Sequence, residues 1–270
     1  MIRAALVIQH CPVGDFEGNL SRTLTRSEEA ASMGADIVVF PEMNLTGYVP
    51  GEKCRQIAVP LASQWTDRLS KAADRLNIII LAGLVEKAGN PSESGQMFAT
   101  HLAFFPEASP GRYRKLHLSP FEAPYFTPGS RVPVFERLGL RFGVQLCYDA
   151  HFPDLSTAMA LKNADVVFIP HASPRGTAED KYNSWMRHLT ARAFDNGMYV
   201  AAVNQTGKNG GGLEFPGLAL CIGPDGNLAS KKTDGCEAIH MVEIDRNALD
   251  RVRSHKMRYF LPNRRPDLID

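Results

Sequence analysis

The chain lacks paired cysteines, a long apolar run and a charge excess, and each absence narrows its chemistry. Its five cysteines, Cys11, Cys54, Cys147, Cys221 and Cys236, are widely spaced and odd in number, with no C-x-x-C pair. That argues against a disulfide framework and against a structural zinc site, and it leaves the cysteines other than Cys147 as buried, inert thiols. No stretch reaches the ~18 consecutive apolar residues of a membrane span. The opening MIRAALVIQH is too short an apolar run for a signal peptide, so the expected compartment is the cytoplasm. The sequons at Asn44 and Asn204 are therefore expected to be accidental. A net charge of +1 leaves no electrostatic footprint for nucleic acid or an anionic membrane. A small neutral or weakly charged ligand is the expected partner. The patterns G-x-S-x-G, H-E-x-x-H and G-x-x-x-x-G-K-[ST] are missing as well. The last absence makes Gly210-Gly211-Gly212 a loop rather than a phosphate cradle.

What is present is an ordinary α/β composition. Hydrophobic residues make up 44% of the 270 and charged residues 22%, as in soluble globular enzymes. Short apolar strands alternate with helical stretches. Strands are predicted at Ile2–Gln9, Asp36–Phe40, Ile78–Val85 and Met97–Phe105, with helices over Gly18–Met33 and Leu61–Leu76. Pro106–Pro133 reads as a long irregular segment. The scheme then repeats, with strands at Arg141–Leu146, Asp165–Ile169 and Met198–Val203 and helices at Pro153–Lys162 and Asp180–Asn196. Leu218–Ile222 and Asn227–Ala229 flank a Gly-Pro-Asp-Gly turn and read as a hairpin. Ala238–Ile244 is a last strand, after which Asp245 caps a short helix through Val252.

One internal echo points to a site. Ala35-Asp36-Ile37-Val38-Val39-Phe40-Pro41-Glu42 lines up with Ala164-Asp165-Val166-Val167-Phe168-Ile169-Pro170-His171. Each follows a helix, runs as an apolar strand buried on both faces, and ends in proline plus a polar residue. Two related halves would each deliver a polar residue at a strand's carboxyl end, where α/β sheets place their ligands. Glu42 and His171 thus become candidates for one pocket.

Cys147 ends the Arg141–Leu146 strand just ahead of the Pro153 helix. A strand, a sharp turn and a helix expose a side chain at the sheet rim, and a helix N-terminus aimed at the turn would favour a thiolate. A thiol nucleophile needs a base, and the oxyanion it creates needs donors. Glu42, directly after an apolar strand, is placed for partial desolvation and a pKa raised toward neutrality. Lys115, in Gly111-Arg112-Tyr113-Arg114-Lys115-Leu116-His117-Leu118, lies where a strand meets the irregular segment. Taken singly, a solvated glutamate, a surface lysine and a buried cysteine are the commoner readings.

Taken together, with the words around them, these residues resemble the nitrilase superfamily of carbon–nitrogen hydrolases. The resemblance rests on Phe40-Pro41-Glu42-Met43-Asn44-Leu45-Thr46-Gly47-Tyr48, on Tyr113 to Leu118, and on Cys147-Tyr148-Asp149, in that order and at those spacings. It extends to Thr127-Pro128-Gly129, to Asp165–Pro170, to Arg192-Ala193-Phe194-Asp195-Asn196 and to Val203-Asn204-Gln205-Thr206-Gly207, nearly the whole chain to Ile244. It implies a four-layer α-β-β-α sandwich, dimerisation, and a cofactor-free and metal-free Glu–Lys–Cys triad of Glu42, Lys115 and Cys147. By the same resemblance, Lys115 and the backbone N–H of Tyr148 stabilise the oxyanion. Glu122, in Ser119-Pro120-Phe121-Glu122, matches the family's second glutamate and orients Lys115 or substrate.

Cys-Tyr-Asp, rather than Cys-Trp-Glu, favours an amide over a nitrile within that family. Ala150-His151 stands where carbamoyl-amino-acid hydrolases carry paired arginines, which puts that activity in doubt. Tyr48, Phe126, His151, His171 and Arg175 are candidate substrate contacts; Tyr48 and Phe126 read equally well as core, and Arg175 as a solvated arginine. A nitrilase, or a non-catalytic binding or assembly module, remains the alternative to a small-molecule amidohydrolase. Residues 1–245 are expected to form the hydrolase domain. Residues 246–270, with a basic tail, are expected to extend it at the interface of a homodimer or larger homo-oligomer.

Overall fold

A computed structural model describes residues 1–268. Strands β1 (Ile2–Ile8), β2 (Ile37–Val39), β3 (Ile79–Lys87), β4 (Met97–Phe105) and β5 (Ala108–Arg114) lie in one six-stranded sheet. Strands β6 (Phe135–Arg137), β7 (Leu140–Val144), β8 (Val166–His171) and β9 (Tyr199–Asn204) lie in a second. A small ribbon, β10 (Gly207–Lys208) with β11 (Glu214–Phe215), then precedes β12 (Gly217–Ile222) and β13 (Leu228–Gly235) of the second sheet. The last strand, β14 (Ala238–Ile244), returns to the first sheet and pairs antiparallel with β1. The sheet orders are β14-β1-β2-β3-β4-β5 and β13-β12-β9-β8-β7-β6.

The two halves mirror one another as the internal echo predicts. β2 runs parallel between β1 and β3, and β8 runs parallel between β7 and β9. Both are buried along their whole length. β1 packs against β9 and β12, so the sheets face each other. Its alternate residues serve two cores: Ala4, Leu6 and Ile8 point between the sheets, whereas Ala5 and Val7 point outward. Helices α1 (Phe16–Ser32) and α3 (Gln64–Leu76) cover that outer face with Leu20, Ala30, Leu69, Ala72 and Ala73, after the short α2 (Lys53–Gln56). On the other side, α4 (Pro153–Leu161) and α5 (Ala178–Asn196) cover the second sheet, and α6 (Arg246–Arg253) follows β14. The result is the four-layer α-β-β-α sandwich.

Several boundaries move, for local reasons. Helix α3 starts after Ser63 rather than at Leu61, because Ser63 and Thr66 form a reciprocal cap. Thr177 and Asp180 form the same device, which starts α5 at Ala178. The segment expected to be irregular from Pro106 holds strand β5, paired antiparallel with β4. Pro110 and Gly111 hid it; both are tolerated because β5 is an edge strand. The second hairpin arm runs to Gly235, well beyond Ala229. Asn44 and Asn204 are fully buried, with Asn44 accepting from the Gly83 amide and Asn204 donating to Pro216, so neither sequon faces solvent. Cys236 departs from the buried-cysteine expectation: it is exposed in the turn between β13 and β14. No helix among the described residues is long and apolar enough to cross a membrane.

Candidate active site

Three chain segments that end strands converge at one rim of the sandwich. Glu42 stands just past β2, in a turn laid along β3. Asn44 Oδ1 accepts from the Gly83 N–H at 2.8 Å, and the Leu45 N–H donates to the Gly83 carbonyl at 3.0 Å. Met43, with φ at +52°, makes the sharp bend. From the other sheet, Gln205 Nε2 donates to the Glu42 carbonyl at 2.7 Å and fixes the turn from above. Lys115 follows β5 and continues its ladder, its N–H donating to Ala99 and its carbonyl accepting from Gly129.

The side chains meet in a fully buried ion cluster. Lys115 Nζ lies 2.8 Å from Glu42 Oε1 and 2.7 Å from Glu122 Oε1. The Ala172 N–H, just past β8, donates to Glu42 Oε2 at 3.1 Å. Glu122 Oε2 accepts from the Ser119 N–H at 2.8 Å, and its Oε1 accepts from Tyr48 Oη at 3.3 Å. Burial pushes the Glu42 carboxyl up to about 7, against the pull of Lys115 and with the help of Glu122. For Lys115 burial acts downward, but Glu42 and Glu122 outweigh it and hold the ammonium well above the ordinary lysine range.

Cys147 sits at the start of a 3-10 turn, Cys147–His151, that leads through Phe152 into α4. Its φ of +44° is unusual for a residue with a side chain and marks a strained elbow. The helix expected from Pro153 begins there, as α4, and the 3-10 turn separates its N-terminus from the thiol. Burial first, then Glu42, pushes the thiol up to about 12. A resting thiolate, which the strand–turn–helix pattern favoured, does not form at neutral pH; the thiol needs a base. Tyr148 follows directly, in the first turn, where backbone N–H groups have no partner within the helix.

Asp149 is the residue that reading by type overlooked, although its motif was in view. It is fully buried. Its Oδ2 accepts from Tyr113 Oη at 2.6 Å and from the Leu146 N–H at 3.0 Å. Its Oδ1 accepts from the His117 N–H at 2.8 Å and lies 3.0 Å from His117 Nδ1. One carboxylate therefore clamps the Cys147 elbow to the strand end that carries Lys115. Arg192, nearly buried, performs a matching task from α5, donating to the carbonyls of Ala150 and His151. Gln205 and Arg192 both lie in segments that carry the family resemblance. Only the fold shows what they hold.

The other candidates separate. Tyr48 is buried and committed to Glu122. Phe126 is buried in the core between the sheets. His171 is buried and stacked on Trp185, with ring centroids 4.0 Å apart. His151 is exposed and stacks on His188 at 4.5 Å. Arg175 is exposed in the loop before α5, with φ at +71°. A cavity of about 760 Å³ opens elsewhere, lined among others by Glu86, Arg112, Arg114 and Thr127, and contains none of the trio. Among the described residues, no three His, Cys, Asp or Glu side chains are grouped to hold a metal ion.

The sequence model of the carbon-nitrogen hydrolase family matches residues 3–254. The chain belongs to that family. It is 32% identical over 254 residues to an (R)-stereoselective amidase of a Pseudomonas species, covering 93% of this chain and 87% of that one. It is 29% identical over 249 residues to a nitrilase of Pyrococcus abyssi, covering 91% and 90%. Among solved structures it resembles an amidase from Nesterenkonia sp. AN1, in a mutant form whose active-site cysteine has added acrylamide. That likeness has a TM-score of 0.84 at 25% identity, with 100% of this chain and 98% of that one covered. Within the superfamily the chain falls in the amidase branch, and it hydrolyses amide C–N bonds outside peptides.

Proposed function

We propose that Cys147 is the nucleophile of this carbon–nitrogen hydrolase, Glu42 its base and acid, and Lys115 its oxyanion donor. The observation that carries the reading is the buried Lys115 ammonium held between Glu42 at 2.8 Å and Glu122 at 2.7 Å, beside a strained cysteine. Glu42, poised near neutrality, takes the thiol proton as Sγ forms a bond to the amide carbon. Lys115 and the Tyr148 N–H stabilise the oxygen that gains the electron pair. The C–N bond then breaks, and Glu42 returns its proton to the leaving amine. Water attacks the resulting thioester with Glu42 again as base, releasing the acid and restoring the thiol. Glu122 does no proton transfer here; it holds Lys115 charged and in place.

Short primary amides are the proposed substrates. A related mutant structure of the Nesterenkonia amidase holds butyramide, and nitriles are the second class, favoured by the Pyrococcus relative. The test is ammonia release from matched amides and nitriles, with intact-mass detection of an acyl adduct on Cys147. Adduct and ammonia from amides, both lost in Cys147→Ala, are expected. Turnover that survives Cys147→Ala would sink the assignment.

Residues 246–270 are proposed as an extension of one domain with the rest, residues 269 and 270 lying outside those the structure describes. Arg253 ties α6 to Asp165 and to the carbonyls of Ala164 and Gly197. A homodimer is proposed from the apolar patch of Phe194, Phe260 and Met257, which are 43%, 44% and 78% exposed. A cytoplasmic location is proposed from the exposed free thiol of Cys236, which suits a reducing compartment; fractionation of the native host would test it.

A further inference from the structure

Strand β5 ends at Arg114, one residue before Lys115, and it presents alternate side chains to opposite faces of the first sheet. Tyr113 points between the sheets, where its hydroxyl donates to Asp149 at 2.6 Å. Arg114 points the other way and crosses the neighbouring strand. In register, Arg114 stands opposite Thr100 of β4, and Phe98 of β4 stands opposite Glu86 of β3. The Arg114 guanidinium lies over the Phe98 ring, 3.5 Å from its centroid, and reaches Glu86 two strands away. There its Nη2 and Nε donate to the two Glu86 oxygens at 2.5 and 3.0 Å. One side chain thus spans β5, β4 and β3 at the point where β5 gives way to Lys115.

The brace is built on buried charge. Glu86 is 1% exposed and also accepts from the Thr100 hydroxyl, and the Arg114 side chain is 11% exposed. Glu93, in the connection from β3 to β4, closes a second fork, accepting from Nη1 and Nη2 at 2.8 and 3.0 Å. Two forks hold the guanidinium in one plane and one place, which a point-charge ammonium could not do. Taking such charges out of water is costly, and apolar residues of similar volume would often stabilise as well or better. What a doubly forked pair supplies beyond apolar packing is a fixed position. The backbone beyond it is gripped too: the Lys115 N–H donates to Ala99 at 2.9 Å, and its carbonyl accepts from Gly129 at 2.8 Å. A Cβ on Gly129 would stand 2.4 Å from the Arg114 carbonyl oxygen, so that segment presses directly against the strand end. Arg114 and Lys115 share one peptide bond, so a shift of the guanidinium's anchor moves the backbone from which Lys115 reaches Glu42 and Glu122.

We infer that Arg114, held by Glu86 and Glu93, is a positioning residue that sets where the Lys115 ammonium stands relative to Glu42. The inference rests on the assignment of Lys115 as oxyanion donor. Asp149 fixes the same strand end from the inner face, through Tyr113 and the His117 N–H, and Arg114 fixes it from the outer one. An oxyanion donor must meet the charge that develops in the transition state. Its misplacement therefore costs kcat rather than binding of a neutral amide. Lys115 also pulls the Glu42 carboxyl down against burial, so a lysine drawn away lets that carboxyl rise further.

The test measures ammonia release from butyramide across pH in wild type, in Arg114→Met, and in Arg114→Met combined with Glu86→Leu. Arg114→Met leaves Glu86 buried without its main cation, so the melting temperature should fall. The double variant replaces the pair with apolar side chains and should regain most of that stability. Both should lose roughly 10- to 100-fold in kcat, the cost of displacing a catalytic group by about an ångström, with KM little changed. In both, the midpoint of kcat/KM against pH should lie above the value of about 7 expected for wild type. A double variant that regains wild-type kcat and midpoint along with its melting temperature would reduce the brace to a stabilising ion pair and overturn the inference. An unmoved midpoint in both variants would overturn it as well. Turnover that survives Lys115→Met would instead remove the underlying assignment of Lys115.

Discussion

Glu42 illustrates how far burial alone can carry a side chain toward catalysis. Its carboxyl rises from 4.5 to about 7 because desolvation outweighs the lysine beside it. As the proposed base, Glu42 must be ionised to accept the thiol proton, so kcat/KM should climb with pH through about 7 and stay level until far more basic conditions. A pH–rate profile centred near 4.5 instead would mean a solvated carboxylate does the work. Glu42→Gln should cost on the order of 10²–10⁴ in kcat, the usual weight of a positioned acid–base group. The same shift has a stability sign. The folded state holds this proton more tightly than the unfolded chain, so stability is full below pH 4.5 and falls as pH rises to about 7. Thermal melts of Glu42→Gln should lack that component of the slope. Asp149 gives the complementary case. An asparagine there offers one acceptor oxygen, and its amide would face the donors now served by the other. Asp149→Asn should destabilise by roughly 2–4 kcal/mol and lower kcat by displacing the Cys147 elbow. A melting temperature within a degree of wild type would contradict the clamp.

Strands and turns were legible where one pattern ruled them and obscure where two competed. The apolar runs of β1, β2 and β8 are buried on both faces, and periodicity finds such strands. Edge strand β5 escaped because its proline and glycine mimic a loop, and only its pairing with β4 makes it a strand. The helix expected at Pro153 starts there, but the 3-10 turn ahead of it had no local signal, because it depends on Asp149 tying the Leu146 amide and Arg192 taking the Ala150 and His151 carbonyls. The turn carrying Glu42 depends on β3 in a way no local pattern shows. A Cβ on Gly83 would stand 2.6 Å from His101 Nδ1 and 2.8 Å from the Met43 backbone nitrogen. Gly83→Ala should therefore cost about 1–3 kcal/mol through overpacking and reduce kcat, since the backbone that must yield follows Glu42. Full activity in Gly83→Ala would show that this turn tolerates displacement.

At the scale of the whole molecule, the returning strand β14 and the helix after it bind the chain's end to its beginning. Tyr259 packs over Gly197, and Leu261 is buried. Next to them lies the apolar patch proposed to be covered by a second copy, with Phe194 and Phe260 rings 5.5 Å apart. Light scattering should give twice the chain mass, and Phe194→Asp with Phe260→Asp should reduce it to a single chain. A wild-type monomer would refute the dimer. Truncation after Arg253 should lower the melting temperature by several degrees, as the loss of a few buried side chains implies at ~2–4 °C per kcal/mol.

The amino-acid order by itself determined the layer plan and singled out the three residues proposed to react. Apolar period, caps and the words around Glu42, Lys115 and Cys147 are properties of neighbours along the chain. Tertiary structure alone decided the rest. Lys115 meets Glu42 across 73 residues, and Gln205 grips the Glu42 backbone across 163. Desolvation, which raises Glu42 and keeps Cys147 a thiol, depends on what the fold removes from water. No local pattern states that. The clamp at Asp149 belongs to the same class, because a charge's partner exists only once distant segments are packed.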